Sequence, residues 1–511
     1  MKKLIFTLCL AVTAVSCSFL KEDPESFVNR HSYFKTVSQC ESVVNSTYST
    51  LRTVFTTAMW TITEGTTDII YEPSSSDINA ILSIGPANSV ISKTVWDNAY
   101  KMIMYANSAV TGIAASSIAE SDKAALIAEA EIMRAFWYYW LTSLFGDVPF
   151  YLDDIVTEDQ MNEIAHLPRM SAVQTRATLI ERLNNCLSYA DDGSYTGALP
   201  AVKASEIVNG RAGWALGEML VAKMALWNLA KDHGSNTDWN AVALTALKRI
   251  EAVYGELSQY PLADLYWRNK NTPEVIFEIQ HTYTSTGLSY VGGVAALTTP
   301  KHNSGINYDG VDIEELGDQV KLGTHARPTL YFSGALQPNA GVDLRAKLNL
   351  AWDYNGQAFE SVDTRPWLGP KFWCPHMMQN YDSNNYPLFR YADVVLMLAE
   401  CYQNLKDQTH FLKYLNQVRT RAGLENYVFV KWSKAEEALK EERARELFGE
   451  FQRKLDLVRW GIWYERVSEY TDWETLRITM KPCHEYLPIS DKQVIYSGGA
   501  LDNNAYNKYG L

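Results

Sequence analysis

The sequence predicts a mainly α-helical protein: a scaffold of tetratricopeptide-like helix pairs that carries an irregular, loop-rich subdomain with few short strands. Three observations support this prediction. Apolar residues recur at helical spacing over most of the 511 residues. The helical stretches follow one another in consecutive pairs, as in helical-repeat scaffolds. Between residues 258 and 385 the periodicity is lost, and Gly, Asn, Asp, Thr and Trp become frequent.

The start of the chain has the composition of a secretory signal. A basic start leads into an apolar run from Leu4 to Val15, which Ser16 and Cys17 close. The run is too short to span a bilayer, which takes about 20 residues. A small residue directly before a cysteine resembles a bacterial lipoprotein signal. We therefore predict a signal peptide over residues 1–16, lipidation of Cys17, and a polar tether over residues 17–37.

The first part of the helical scaffold is predicted to cover residues 38–257. Five stretches place apolar residues on one face at helical spacing. One of them ends at Gly146 and Pro149, which stop a helix. These stretches predict helices at residues 40–55, 94–113, 121–150, 210–230 and 238–253.

The irregular subdomain is predicted over residues 258–385, and only the stretch 273–280 (PEVIFEIQ) alternates like a strand. Loops mounted on a rigid scaffold commonly carry function. The scaffold resumes over residues 386–511. There we expect helices at 390–404 and 410–423, and one long charged helix over 434–467. In that helix Glu441–Arg445 and Glu450–Lys454 have the i,i+4 spacing of stabilising ion pairs.

Charge and motifs exclude several classes of function. The net charge of −13 and the pI near 5.3 argue against nucleic-acid binding, which needs a basic face. No metalloprotease, serine-hydrolase, P-loop or dinucleotide motif is present. The stretches Cys374-Pro375-His376 and Cys483-His484 lack the paired cysteine spacing of zinc sites. We therefore predict no metal, no cofactor and no catalytic residue.

Four groups of stretches occur in a fixed order along the chain: AEAEIMRAFWYYWLTSLFGDVPF, RYADVVLMLAECYQN with LNQVRTRAGL, EERARELFGEFQRKLDLVRWG, and YLPISDKQV. Together they resemble the motifs of the SusD/RagB family. Those proteins are surface lipoproteins of Bacteroidota-type bacteria that capture nutrients for a SusC-like, TonB-dependent transporter. Phe451 stands where many members have glycine. The match is carried by Glu129, Arg134, Ala135, Gly146, Asp147, Pro149, Arg390, Tyr391, Glu400, Asn416, Arg419, Arg421, Glu442, Arg443, Glu446, Leu447, Glu450, Arg453, Asp456, Leu457 and Arg459.

The resemblance implies a fold of four tetratricopeptide-like helix pairs with a variable, ligand-bearing part. It also implies a lipid-anchored protein at the cell surface, on the outer membrane, that passes an oligosaccharide or glycan to a SusC-like transporter. Such a protein needs no catalytic residue. We expect the charged motif residues, such as Glu129, Arg134, Arg390 and Glu400, to make structural ion pairs rather than to contact ligand.

Ligand contacts in the family usually come from the segment after the first helix and from the middle loops. Here these are residues 60–96 and 283–373. Aromatic rings stack on sugar faces, and polar side chains bond the hydroxyl edges, each bond contributing about 0.5–1.5 kcal/mol net. Trp352 and Trp367 lead the prediction because turn-forming residues surround them. The predicted contacts are Trp60, Asp68, Tyr71, Asn79, Asn88, Tyr290, Trp352, Tyr354 and Trp367.

Three alternatives stay open. Some members of the family handle peptides rather than glycans. An all-helical glycosidase or lyase also has this length and aromatic content, and it would need two facing carboxylates in a cleft with one pKa raised. A helical-repeat interaction protein would show a long concave groove without an aromatic platform.

Overall fold

The computed structural model describes residues 33–284, 287–300, 307–308, 311–312, 326–339, 341–361, 363–374, 377 and 380–511. The predicted signal peptide and Cys17 lie outside the described residues. Among the helices within these ranges, none is both long enough and apolar enough to cross a membrane.

The described chain is mainly helical, which confirms the predicted fold class. Its α-helices are α1 (Val37–Ser46), α2 (Leu51–Val54), α3 (Thr57–Thr63), α4 (Val90–Ala114), α5 (Glu120–Phe145), α6 (Glu158–Ala165), α7 (Ala172–Cys186), α8 (Trp214–Lys231), α9 (Trp239–Tyr254), α10 (Val294–Thr298), α11 (Ala346–Asn349), α12 (Tyr391–Asn404), α13 (Gln408–Arg421), α14 (Trp432–Glu446), α15 (Arg453–Arg459), α16 (Trp463–Tyr470), α17 (Glu474–Thr479), α18 (Asp491–Tyr496) and α19 (Asn504–Asn507).

The scaffold consists of four helix pairs that pack in series. The pairs are α1 with α4, α5 with α7, α8 with α9, and α12 with α13; α4 also packs on α5, α7 on α8, and α9 on α12. Helices α5 and α8 are buried on nearly every side, as core helices are. Gly217 lets α8 approach its neighbours closely, because a Cβ there would lie 2.6 Å from the Leu187 side chain.

Helix α7 is absent from the set predicted from the sequence. Its buried face consists of Leu179, Ile180 and Leu183 together with Thr175 and Arg176. The buried Arg176 donates to the Thr142 carbonyl and lies over the Trp227 ring. A polar residue on the core face hides the helical periodicity from the sequence.

The strands are short and lie mostly in the middle region. The predicted strand at 273–280 is confirmed as β2, and β2 pairs antiparallel with β10, which leads directly into α12. The strands are β1 (Ile70–Tyr71), β2 (Val275–Ile279), β3 (Asn307–Tyr308), β4 (Val311–Asp312), β5 (Arg327–Pro328), β6 (Leu350–Ala351), β7 (Asp353–Tyr354), β8 (Gln357–Ala358), β9 (Trp367–Leu368) and β10 (Tyr386–Arg390).

The long helix predicted over residues 434–467 is wrong, because the structure divides it into α14, α15 and α16. The first break contains Gly449 and Phe451, both with positive φ. Phe451 is left-handed with φ 62°, which explains why glycine suits this position in many relatives. The break is stabilised by distant residues: Trp60 Nε1 donates to the Gly449 carbonyl at 2.8 Å, and a carboxylate oxygen of Glu64 accepts the backbone N–H groups of Gln452 and Arg453.

The predicted Glu450–Lys454 ion pair is therefore also wrong. Glu450 instead pairs with Lys371 and Arg390, each at 2.7 Å. Burial lowers the pKa of Lys454 to about 7, and its ammonium nitrogen lies 4.7 Å from the centre of the Trp463 ring. The break in the helix separates the two partners that a continuous helix would have placed one turn apart.

A buried network of charges joins the middle region to the scaffold. Arg390, at the end of β10, pairs with Glu274, Glu446 and Glu450, each at 2.7 Å. Arg345, in the middle region, pairs with Glu446 at 2.8 Å. As expected from the sequence, the motif residues Glu129, Arg134 and Glu400 also make ion pairs, with Arg211, Glu131 and Arg459 respectively.

Replacing Arg390 by Gln should lower the free energy of unfolding by about 3–5 kcal/mol, because three buried carboxylates lose their shared cation. Denaturant unfolding measures this loss. Glu436→Gln is the matched control: it removes the exposed pair with Lys440 and should cost less than about 1 kcal/mol. Arg390→Lys keeps the charge and should recover part of the stability. Equal losses in the Gln variant and the control would contradict the role assigned to the network.

Candidate functional site

A cavity of about 470 Å³ opens between the segment around α2 and β1 and the loops of the middle region. Thr57 and Thr61 of α3 form part of its floor. Residues 291–297, which run into α10, form one wall, and Asn380 and Tyr381 form part of the rim. The cavity therefore combines residues from both segments that the sequence analysis selected, 60–96 and 283–373.

Two carboxylates line one wall of the cavity. Glu72 and Asp77 flank a tight turn, in which Ser74 Oγ accepts the backbone N–H of Asp77. The Glu72 side chain, in a residue only 6% exposed, accepts a hydrogen bond from Thr61 Oγ1 at 2.9 Å. Burial, together with the nearby charge of Asp77, raises the pKa of Glu72 to about 7. At neutral pH this carboxyl can thus either donate or accept a hydrogen bond.

Arg52 and His281 line another part of the cavity. The Arg52 guanidinium lies 4.7 Å from the centre of the Tyr290 ring and donates to the Gln280 carbonyl at 3.3 Å. Tyr290 is 45% exposed, so its ring remains accessible beside the cavity. Burial, with the charge of Arg52 nearby, lowers the pKa of His281 to about 3, so the imidazole is neutral.

The wall formed by residues 291–297 is anchored to the rest of the fold. The backbones of Gly292 and Asp382 exchange two hydrogen bonds, and Tyr386 Oη accepts the N–H groups of Gly293 and Val294. Only glycine fits at 292, because a Cβ there would lie 1.9 Å from Tyr386 Oη. The buried Asp382 carboxylate accepts the N–H of Ala295, and burial raises the pKa of Asp382 to about 6.

Of the nine predicted contacts, Tyr290 lies beside this cavity. Trp60 is fully buried and holds the break between α14 and α15 through its indole N–H, so its ring offers no accessible face. Asp68 is also fully buried and pairs with Arg453 at 2.6 Å and with Arg466 at 3.2 Å.

Asn88 is exposed and closes its own loop, with its side chain bonded to the backbone of Gly85 and Ser83. Asn79 is partly buried, in the turn after Asp77.

Four other predicted residues belong to a cluster of arginines and aromatic rings that includes Tyr71, the neighbour of the lining residue Glu72. Tyr71 is opposite Arg327 in the β1–β5 pair, and its hydroxyl accepts a hydrogen bond from Arg365 at 2.6 Å. The rings of Tyr354 and Trp367 lie 6.0 Å apart. Trp352 donates from its indole nitrogen to the Ala346 carbonyl. Tyr71, Trp352 and Trp367 are buried. Their rings therefore pack the irregular region against the rest of the fold.

The sequence analysis missed Arg52, Glu72, Asp77, His281 and Tyr381. A signal for two of them was available, because the stretch EPSSSD places carboxylates at both ends of a turn-forming sequence. Arg52 gave no signal, since it belongs to a stretch with ordinary helical spacing. His281 and Tyr381 are far apart in sequence from the first segment, and only tertiary structure brings them to it.

The arrangement fits reversible binding of a polar ligand. The cavity offers hydroxyl, carboxyl and guanidinium groups, with the rings of Tyr290 and Tyr381 exposed near its rim. Within the described part of the chain, no group of three or more His, Cys, Asp or Glu side chains is placed to hold a metal ion. Fold and cavity together define a class of protein: a helical-repeat scaffold whose loops form a polar cavity with aromatic residues near its edge.

Two family models match this chain. The model described as "SusD family" matches residues 376–506, and the model described as "Starch-binding associating with outer membrane" matches residues 19–213. The chain belongs to the SusD/RagB family. The resemblance that the sequence motifs indicated is therefore confirmed.

Relatives and solved structures match nearly the whole chain. A SusD-like protein of Formosa agariphila is 26% identical over 557 residues, which cover 99% of both chains. A SusD homologue from Bacteroides thetaiotaomicron has a TM-score of 0.74 at 20% identity, covering 94% of this chain and 98% of that one. Surface glycan-binding protein A from the same species, solved in complex with laminarihexaose, has a TM-score of 0.68 at 20% identity, covering 92% and 99%. These structural likenesses show a shared fold.

Glu72→Gln should stabilise the protein above pH 7 by on the order of 2–3 kcal/mol and have little effect near pH 4. The folded state disfavours the ionised carboxylate, because burial and Asp77 raise its pKa from 4.5 to about 7. In the unfolded chain the group ionises near its ordinary pKa. The destabilisation of the native protein therefore develops as the pH rises from 4.5 to 7 and then stays constant. Thermal unfolding of both proteins from pH 4 to 8 measures the difference.

The exposed Glu41 provides the control for this experiment. Glu41→Gln should shift stability by less than about 0.5 kcal/mol at any of these pH values, as surface substitutions usually do. If the difference in stability between Glu72→Gln and the native protein were the same at pH 4 and pH 8, the pKa of the Glu72 carboxyl would not be raised.

Proposed function

We propose that this protein captures oligosaccharide at the cavity between α3 and residues 291–297 and passes it to a SusC-like, TonB-dependent transporter. The observation that carries the proposal is the pairing of an exposed ring, Tyr290, with hydrogen-bonding groups inside a cavity that both predicted segments form. The relatives support it through their descriptions: one matching model is described as starch-binding, and one structural neighbour is a laminarin-binding SusD-like protein.

The chemistry of the cavity suits a sugar ring. Tyr290 and Tyr381 present flat apolar surfaces near its edge, on which the C–H face of a sugar can stack. Glu72, Asp77 and Asn380 offer polar groups to the hydroxyl edge. Each hydrogen bond replaces one to water and contributes about 0.5–1.5 kcal/mol net. Several sugar units must bind together for useful affinity, so we expect an oligosaccharide rather than a monosaccharide.

Tyr290→Ala should weaken oligosaccharide binding by about 1–2 kcal/mol and leave thermal stability nearly unchanged, because the ring is half exposed and packs mainly on Arg52. The measurement is calorimetric titration with the tightest ligand found in a screen of polysaccharides and peptides. Tyr496→Ala removes another exposed tyrosine ring, which unlike Tyr290 does not adjoin a lining residue of the cavity, and this variant should bind normally.

Full affinity in Tyr290→Ala would move the site away from this cavity. If the protein bound peptides and no polysaccharide, the result would instead support the peptide-binding class of the family.

The membrane part of the proposal rests on the sequence before residue 33. We propose that acyl chains on Cys17 hold the protein at the outer membrane, on the cell surface, where it covers the transporter. Each buried CH₂ of an acyl chain contributes about 0.8 kcal/mol, so several chains anchor a protein firmly.

Cys17→Ala should release the protein from membranes and separate it from its transporter. Membrane fractionation and co-purification of the native protein and the variant measure both effects. A variant that still pellets with the outer membrane would refute the anchor. Recovery of the native protein alone, with and without ligand, would refute the partnership.

A glycosidase is the second candidate, and one observation favours it: Glu72, with its raised pKa, lies near Asp77 in an open cavity. Glycoside hydrolysis uses such a pair of carboxyl groups, and the one with the raised pKa acts as the acid. Product analysis of the titration samples tests this candidate. Shortened oligosaccharides with the native protein, and intact ones with Glu72→Gln, would establish catalysis.

A further inference from the structure

We propose that the cavity selects its ligand by charge: it takes neutral glycans and rejects those whose sugar units carry carboxylate or sulfate groups. The inference rests on the proposed function, since it concerns the class of glycan that the same cavity binds. It follows from how the charged side chains around the cavity are compensated.

The inner wall carries two carboxyl groups that have no cation paired directly with them in the described part of the chain. Glu72 and Asp77 both line the cavity, and no lysine or arginine in the described ranges of the chain forms an ion pair with either one. The hydrogen bond from Thr61 Oγ1 comes from a neutral group and supplies no positive charge. With a pKa of about 7, Glu72 adds its negative charge to the wall as the pH rises through neutrality. An anionic group on a ligand would meet like charge here, in surroundings that are already partly desolvated.

A neutral sugar suits the same wall. Its hydroxyls donate to the Asp77 carboxylate, and they can accept from Glu72 when that group is protonated. Hydrogen bonds to an ionised acceptor are stronger than those between neutral groups. A carboxylate or sulfate on the sugar has no proton to donate, so it loses these bonds and adds repulsion.

Arg52 is the feature that could oppose this inference. It is the cationic side chain among the described lining residues, because His281 is neutral. Its guanidinium is already placed over the Tyr290 ring and donates to the Gln280 carbonyl. Arg52 keeps its positive charge, but the lining sets two carboxyl groups, Glu72 and Asp77, against this one guanidinium, and neither of them forms an ion pair with it.

The neighbouring cluster offers no spare positive charge. Arg327 pairs with Asp363 at 2.8 Å, and Arg365 pairs with Asp472 at 3.0 Å. The whole chain adds to the repulsion, since its net charge is −13. Local and overall charge therefore favour the same class of ligand.

The experiment begins with a screen of neutral and acidic polysaccharides against the native protein. The tightest ligand is then converted to its opposite in charge on the same backbone: a neutral oligosaccharide is oxidised to carboxylate at C6, whereas an acidic one is methyl-esterified or desulfated. Calorimetric titration at low salt compares each pair. We expect a neutral ligand from the screen and a loss of about tenfold or more on oxidation, the effect of one pKa unit of like-charge interaction.

Variants locate the effect. The double variant Glu72→Gln, Asp77→Asn should reduce the ratio of neutral to charged affinity, because it removes the repelling wall. Asp191→Asn removes an exposed carboxylate elsewhere and should leave the ratio unchanged.

An acidic ligand that weakens when neutralised would overturn the inference, and so would an unchanged ratio in the double variant. If no glycan of either charge class binds, the proposed function itself fails, and that result is distinct from binding with the opposite preference.

Discussion

The buried pairing of Arg390 with Glu274, Glu446 and Glu450 is the constraint on which the rest of the structure depends. An ion removed from water costs several kcal/mol unless partners surround it closely. Glu274 directly precedes β2, Arg390 ends β10, Glu446 ends α14, and Glu450 lies in the turn after α14. Arg421, Arg345 and Lys371 share the same three carboxylates, so the loss of Arg390 would leave the buried negative charge only partly compensated. The network therefore holds the strand pair and the C-terminal helices in one arrangement.

The charge network is connected to the cavity through the break between α14 and α15. Glu450 and Gly449 lie in that break, and the first segment of the chain completes it: Trp60 bonds the Gly449 carbonyl, and Glu64 caps the start of α15. Helix α3 is thereby fixed against the C-terminal part. The turn that follows β1 then has a defined position, and Glu72 comes within reach of Thr61. The position of the cavity wall is thus a consequence of contacts between residues almost 400 positions apart.

Five aromatic residues fall into two sets, one buried and one accessible to solvent. Trp60, Trp352 and Trp367 are buried, and their rings pack against the rest of the fold. Tyr290 and Tyr381 keep much of their surface in solvent. A tryptophan has a large apolar area, so burying it contributes more to stability than burying a tyrosine of similar position. In this fold the tryptophans of the irregular region serve its attachment, and accessible tyrosines are left near the edge of the cavity.

The sequence by itself determined most scaffold helices, the strand at Val275–Ile279 and the family, because periodicity and motif spacing are local properties that a single stretch displays. It did not show α7, whose core face carries the buried Arg176. Both segments that it selected contribute residues to the cavity, but Arg52, His281 and Tyr381 lie outside them. Only the tertiary structure decided where the long C-terminal helix breaks, since positive φ at Phe451 is stabilised by residues from the first helices. It likewise decided which side chains face the cavity: Asp68 is neutralised by Arg453, whereas Glu72, four residues later, is left without a cation in the described part of the chain. Burial and pairing are relations between distant segments, and no local pattern in the sequence contains them.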